Sequence, residues 1–196
     1  MLKIEYIEPQ AMRSVAEPKP TPQPIPMKLI KLPAGFGCEE FYLAETPVTQ
    51  AQWHAVMGGE LPTQPDHPRV SLSYGDAKLF CDKASSTYGV TFRLPTELEW
   101  CRAVGVEPAS EFLGDYAVFG QRELCAVKTK LPNEYGLYDM RGLVWEWLAG
   151  TEVVYRVVRG GSWNLNANFC RSAYRVNFHP AYVYDFFGFR VVVSAA

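Results

Sequence analysis

Apolar positions recur at two spacings along this chain, and in one long stretch at neither. Met27-Lys28-Leu29-Ile30-Lys31-Leu32 and Phe41-Tyr42-Leu43-Ala44-Glu45 are short apolar runs, the first closed by Pro33 and Gly35, and they predict two strands. Thr49 precedes Gln52 by three positions, Ser73 precedes Asp76, and Thr96 precedes Glu99. In that pattern the cap hydroxyl and the third-position side chain satisfy each other's backbone amides, so each marks a helix start. Asp is a weaker third-position partner than Glu. The stripes behind the caps are Trp53 with Val56-Met57, then Ala77, Phe80, Cys81 and Ala84, then Trp100, Ala103 and Val104. They predict helices over 50–57, over about 74–86 and from 97 onward, the first two stopped by Gly58 and Gly89. Further strands are predicted around 124–127, from 144 through 147, over 153–159 and over 188–193. Short helices first and a strand-rich, loop-dominated half afterwards indicate an α+β fold. No repeat of 20–50 residues is visible.

Upstream of these elements, residues 2–7 predict one short strand. Pro then alternates with other residues from Pro18 to Pro26. Such a run is extended and poor in backbone donors, so it reads as a semi-rigid spacer, with a ligand for a polyproline-reading partner as the alternative. The chain therefore divides into 1–26 and a compact domain over 27–196.

The stretch without a period lies between Arg159-Gly160-Gly161-Ser162-Trp163 and Gly188-Phe189-Arg190. It is crowded with Phe, Tyr and Asn, and between Asn164 and Phe187 it contains no Lys, Glu, Gln, Met or Trp. Large rings in an Asn- and Pro-punctuated segment read as loop. Two readings of the rings stay open: they fill an irregular core, or they line an exposed binding surface.

Charge and composition narrow the function classes. The 196 residues carry a formal net charge of −2, with 48% hydrophobic and 20% charged positions. That is an ordinary globular balance without the basic footprint of a nucleic-acid binder. Nothing approaches a membrane-spanning run, and Met1-Leu2-Lys3-Ile4-Glu5 lacks the basic-then-apolar plan of a signal peptide. The expected location as synthesised is cytoplasmic. Cys38, Cys81, Cys101, Cys125 and Cys170 are widely spaced and odd in number, so they read as free, buried thiols rather than as a disulfide framework or a zinc site. His54, His67 and His179 show no ligand spacing, and no metal or other cofactor is expected.

Six ordered motifs carry a resemblance: Phe41-Tyr42 with Pro47-Val48-Thr49-Gln50-Ala51-Gln52-Trp53; Arg93-Leu94-Pro95-Thr96-Glu97-Leu98-Glu99-Trp100; Asn133-Glu134-Tyr135-Gly136-Leu137-Tyr138-Asp139-Met140; Val144-Trp145-Glu146-Trp147; Arg159-Gly160-Gly161-Ser162-Trp163; and Gly188-Phe189-Arg190. From about Met27 to Val193 the chain resembles the formylglycine-generating-enzyme-like, or sulfatase-modifying-factor, domain. The resemblance implies that family's variant of the C-type lectin fold, loop-rich with short helices and a C-terminal strand-rich core, with Trp145 and Trp163 as packed core rings. Catalytic members oxidise a substrate cysteine with copper held by two cysteines. Carried over, the second falls on Cys170 and the first on Leu165, which leaves one thiol where that chemistry needs two. Some members bind calcium through an Asn just before the Val-Trp-Glu-Trp segment, where this chain has Leu143.

Residues 159–190 also resemble the variable region of diversity-generating retroelement proteins built on this domain. In those systems Asn codons are copied with errors at adenines into codons that end in a pyrimidine. Such codons cannot specify Lys, Glu, Gln, Met or Trp. The resemblance implies fixed positions, among them Gly160, Gly161, Trp163, Arg171, Arg175 and Arg190, with the arginines holding loop carbonyls. It also implies a variable, ligand-binding set: Leu165, Phe169, Tyr174, Val176, Asn177, Phe178, His179, Tyr182, Tyr184, Asp185 and Phe186. The expectation is a monomeric, non-enzymatic binding protein for a variable macromolecular partner, a protein or cell-surface target, displayed on a virion or cell surface by a partner. A divergent cysteine-oxidising enzyme using Cys170 and a plain structural domain are the alternatives.

Overall fold

All three predicted helix starts form as reciprocal caps. A computed structural model of the chain describes residues 26–35, 37–150 and 154–194. In it Thr49, Ser73 and Thr96 accept the third-position amides of Gln50–Met57 (α1), Tyr74–Tyr88 (α2) and Glu97–Ala103 (α3), and the side chains of Gln52, Asp76 and Glu99 reach back to the cap amides. Asp76 thus completes its box despite its shorter arm. The predicted strand over 2–7 and the Pro-rich spacer lie outside the described residues.

The remaining elements are short. Leu29–Leu32 (β1), Phe41–Ala44 (β2), Thr91–Arg93 (β3) and Val192–Ser194 (β10) form one antiparallel sheet in the order β1-β2-β10-β3. A single turn of helix over Leu113–Tyr116 (α4) leads into Ala117–Val118 (β4), which pairs in parallel with Arg141–Gly142 (β5). Trp145–Trp147 (β6), Arg156–Arg159 (β7), Arg175–Phe178 (β8) and Phe187–Gly188 (β9) make a second sheet in the order β8-β7-β6-β9. The last strand of the domain is therefore inserted between β2 and β3, and the C-terminal half closes against β2.

Three expectations are corrected. Residues 124–127 form no strand: Leu124, Cys125 and Val127 pack instead as irregular chain against Val118, Leu143 and Val144. Residues 175–178, expected as loop, form β8. Trp145 is buried as expected, whereas Trp163 is only half-buried at the rim of the same small cluster.

The main core joins Phe80, Phe92, Trp145, Trp147, Phe187 and Phe189, with Trp53 stacked on Phe80 at 5.6 Å between ring centroids. Gly161 is one position near the rings where a side chain is excluded. Its φ is +83°, and a Cβ there would lie 2.7 Å from the carbonyl oxygen of Phe169 and 2.9 Å from Cys170 Sγ.

Candidate ligand-binding surface

Strand alternation sorts the C-terminal sheet into two unlike faces. The register pairs Trp147 with Val158, Val158 with Val176, Arg156 with Phe178, and Trp145 with Phe187. These residues share one face. Glu146, Arg159, Arg175 and Asn177 share the other, again by register.

Two ring groups stand on the first face. Phe178, Tyr184 and Phe186 surround the fully buried Phe187, at 4.9, 5.3 and 5.1 Å; Tyr184 stacks on Phe186 at 4.9 Å, and Tyr182 lies 6.3 Å from Phe178 and 5.8 Å from Tyr184. His179 lies 5.8 Å from Tyr182. The second group is Phe169 and Tyr174, 4.8 Å apart, with Tyr174 6.0 Å from Trp145. Because Trp145 and Phe187 are register partners, the two groups occupy adjoining parts of one face.

Tyr174, His179, Tyr182, Tyr184 and Asp185 are exposed. Leu165, Phe169, Val176, Phe178 and Phe186 are half-buried and pack on the main core. Substitution at these five costs packing, so they are less free to vary than the exposed set. Asn177 is exposed but on the opposite face, where Arg175 donates to its side-chain oxygen at 2.9 Å. Register and ring contacts gather Phe169, Tyr174, Val176, Phe178, His179, Tyr182, Tyr184 and Phe186 on one side and leave Asn177 on the other. Val183, 50% exposed between two of the tyrosines, belongs with the surface and was not anticipated. Tyr74 was not anticipated either: it donates its amide to the Pro180 carbonyl at 3.0 Å and carries the Arg156 guanidinium 5.0 Å over its ring. Nothing local to the capping segment of α2 signals that neighbour.

The course of the loops is fixed by main chain rather than by the rings. Ser71 N donates to Tyr184 O at 3.1 Å, Trp145 N to Phe186 O at 2.9 Å, Gly120 N to Leu165 O and Gln121 N to Trp163 O, both at 2.7 Å. Such bonds do not depend on which side chain is attached. The arginines divide differently from expectation. Arg190 does hold carbonyls, those of Ala44, Glu45 and Tyr138. Arg171 and Arg175 instead reach the carboxylates of Glu107 and Glu97. Carbonyls around the loops are held by Arg159, to Ser172 and Tyr174, and by Arg141, to Val104 and Val106.

Cys170 is fully buried against Leu113 and Ala117, and burial, with a small contribution from Glu107, pushes its thiol up to about 12. Leu165 offers only hydrocarbon. These residues do not fit a two-thiol copper site. Leu143 is fully buried at φ +60° and supplies no side-chain oxygen for calcium. Among the described residues no group of three or more His, Cys, Asp or Glu is placed to hold a metal ion. Cys101, by contrast, is exposed. Iodoacetamide applied to the native protein at pH 7.5 should therefore alkylate Cys101 and leave Cys81 and Cys170 unmodified over the same period, read by peptide mass spectrometry. Prompt labelling of Cys170 would show that its cluster is not closed.

Short helices, three small sheets and a loop-borne ring surface on one of them define a C-type lectin fold. Residues 33–195 match the sulfatase-modifying factor enzyme 1-like domain, and the chain belongs to that family. Formylglycine-generating enzyme of Bos taurus is 29% identical over 166 residues, covering 63% of this chain and 43% of its own length. The inactive C-alpha-formylglycine-generating enzyme 2 of Mus musculus is 33% identical over 181 residues, covering 76% and 57%. The chain thus spans about half the length of these curated relatives. Among solved structures, Treponema denticola variable protein 1 superposes with a TM-score of 0.72 at 25% identity, covering 85% of this chain and 91% of the other. The Major Tropism Determinant U1 variant shares the fold, with a TM-score of 0.54 at 14% identity over 80% of this chain and 51% of the other. No helix among the described residues is long and apolar enough to cross a membrane.

Proposed function

We propose that this protein is a non-enzymatic, monomeric binding protein whose ring-lined face recognises a protein or cell-surface target, and that a retroelement diversifies the segment 159–190. The observation that carries the reading is the division of labour on that face. Exposed Tyr182 and Tyr184 stand on a loop path held by main-chain bonds over buried Phe187, and exposed Tyr174 on a segment whose carbonyls Arg159 holds, so their identity is free to serve a ligand. Tyrosine gives large contact area at low entropic cost. The likeness to a variable protein supports the diversification, and the Leu165–Cys170 positions argue against cysteine oxidation even though formylglycine-generating enzymes are among the relatives.

The test is a triple Tyr174, Tyr182 and Tyr184 to Ser variant, compared with wild type on an array of bacterial cell-surface proteins and in urea melts. Stability should fall by no more than about 2 kcal/mol, since surface changes stay near about 0.5 kcal/mol each. Binding should weaken at least about 100-fold, because aromatic anchors carry most interface energy. A triple variant that unfolds would make the rings core, and one that keeps the wild-type targets would remove them from the site. For diversification, the genome should hold a reverse transcriptase gene and a near-copy of the segment coding for 159–190. Their absence would leave binding without diversification.

A further inference from the structure

The two halves of the ring surface rest on different kinds of support. Residues 179–186 are held across main-chain bonds to Ser71, Tyr74 and Trp145. Residues 171–175 are gripped by charge. Glu107 accepts from the Ser172 amide at 3.0 Å, from the Ser172 hydroxyl at 2.5 Å and from Arg171 at 3.4 Å, and it is itself braced by Arg141 at 3.3 Å. Glu97 pairs with Arg175 at 2.9 Å and with Arg159 at 3.1 Å, and Arg159 donates to the carbonyls of Ser172 and Tyr174 at 3.0 and 2.9 Å. Both carboxylates lie outside 159–190, on α3 and in the segment just beyond it. Tyr174 projects from the middle of this grip, with Phe169 against it.

We propose that Glu107 and Glu97 are positioning residues: they set the Phe169–Tyr174 half of the surface in its binding shape before any ligand arrives. The proposal rests on the reading of the ring face as a ligand site, but its test needs no ligand. A loop that must be ordered during association loses affinity to conformational entropy, and fixing it beforehand removes that cost. Charge-assisted hydrogen bonds are the strong kind available for this at a partly exposed site. Glu107 is held as carboxylate: burial opposes its ionisation, and the Ser172 hydroxyl and amide with Arg141 outweigh it, drawing its pKa down. A clamp of this sort leaves the ring positions themselves uncommitted. Diversity at 169 and 174 is then compatible with a defined loop shape.

The experiment is native-state hydrogen exchange of the full chain by mass spectrometry, together with the rate of trypsin cleavage after Arg171. For Glu107→Ala, amides 170–174 should exchange at least ten-fold faster and cleavage after Arg171 should accelerate by a similar factor, while β6 and β7 keep wild-type protection. Glu107→Gln keeps an oxygen for Ser172 but loses the charge, and should give an intermediate increase at the same amides. It also serves if Glu107→Ala fails to fold. Unchanged exchange at 170–174 in both variants would overturn the proposal. So would an acceleration spread evenly over the chain, which would make Glu107 a general stability residue. The triple tyrosine variant should leave exchange at 170–174 unaltered, so a failure of the clamp and a failure of the ring-surface reading are read on different variants.

Discussion

Replacing Arg190 by Met should cost about 3–5 kcal/mol, enough to unfold a domain of ordinary stability. Arg190 and Glu146 are among the most deeply buried charged side chains of the described residues, at 0% and 1% exposure. Two guanidinium nitrogens reach the Glu146 carboxylate at 2.7 to 2.9 Å, and Trp100 Nε1 donates to the same group at 2.9 Å. The remaining donors satisfy the carbonyls of Ala44, Glu45 and Tyr138. One side chain therefore joins β2, the segment before β5 and the sheet that carries the rings. Removing it alone leaves a buried carboxylate with a single indole partner and strips three carbonyls of a donor. Urea unfolding of Arg190→Met, Glu146→Met and the double variant separates the causes. Each single variant should lose several kcal/mol, and the double should lose clearly less than their sum, because it leaves no unpaired charge behind. A single-variant loss below about 1 kcal/mol would mean that the pair is replaceable by packing alone.

How much of this was legible beforehand depends on the range over which each signal acts. The helix starts were readable because a capping box is a four-residue event, complete in Thr49–Gln52, Ser73–Asp76 and Thr96–Glu99. Strands of two to four residues are too short for alternation to declare itself, which is why β4 and β5 went unseen and β8 was hidden inside a segment read as loop. The apolar run at 124–127 looked like a strand because composition does not say whether a partner edge is free. Here Val127 N bonds to Asp66 O and the side chains fill a gap beside Val118. The grouping of rings was legible from the kind of residue present, and register with ring contacts places eight of the eleven positions on one side. Asn177 faces the other way because its side of the sheet is set by pairing with Val157, a long-range fact that local composition does not contain. The same holds for Glu97 and Glu107. They contact 159–190 from 60 or more positions away, and no pattern within either segment announces the meeting.

Asp139→Asn should gain on wild type in stability by about 3 kcal/mol as pH rises from 4 to 7.5. Asp139 is 2% exposed at φ +56°, and its Oδ2 accepts the Lys128 amide at 2.8 Å while Oδ1 has no hydrogen-bond partner. Burial is the main cause that pushes its carboxyl up to about 6 from 3.8. The Lys128 amide and the Arg190 charge oppose the rise, and Glu146 adds to it. The folded state therefore binds a proton at Asp139 more tightly than the unfolded chain. The stability this contributes is fully present below pH 3.8 and is lost as pH rises through about 6. A difference of about two pK units corresponds to about 3 kcal/mol. Glu45, Glu99 and Glu107 act in the opposite sense. Each is buried enough to raise its pKa, but hydrogen-bonding partners more than offset that and hold it low, so they favour the fold as pH rises. The wild-type profile mixes both signs, and only the difference between wild type and variant isolates Asp139. Asn keeps an oxygen for the Lys128 amide and carries no charge at any pH. In urea titrations at half-unit pH steps the variant should therefore gain on wild type from pH 4 to pH 7, most steeply at about pH 5, midway between the unfolded and folded values. A difference that is constant across that range would mean that Asp139 ionises in the fold as readily as in water. The buried oxygen without a partner would then need another explanation than a retained proton.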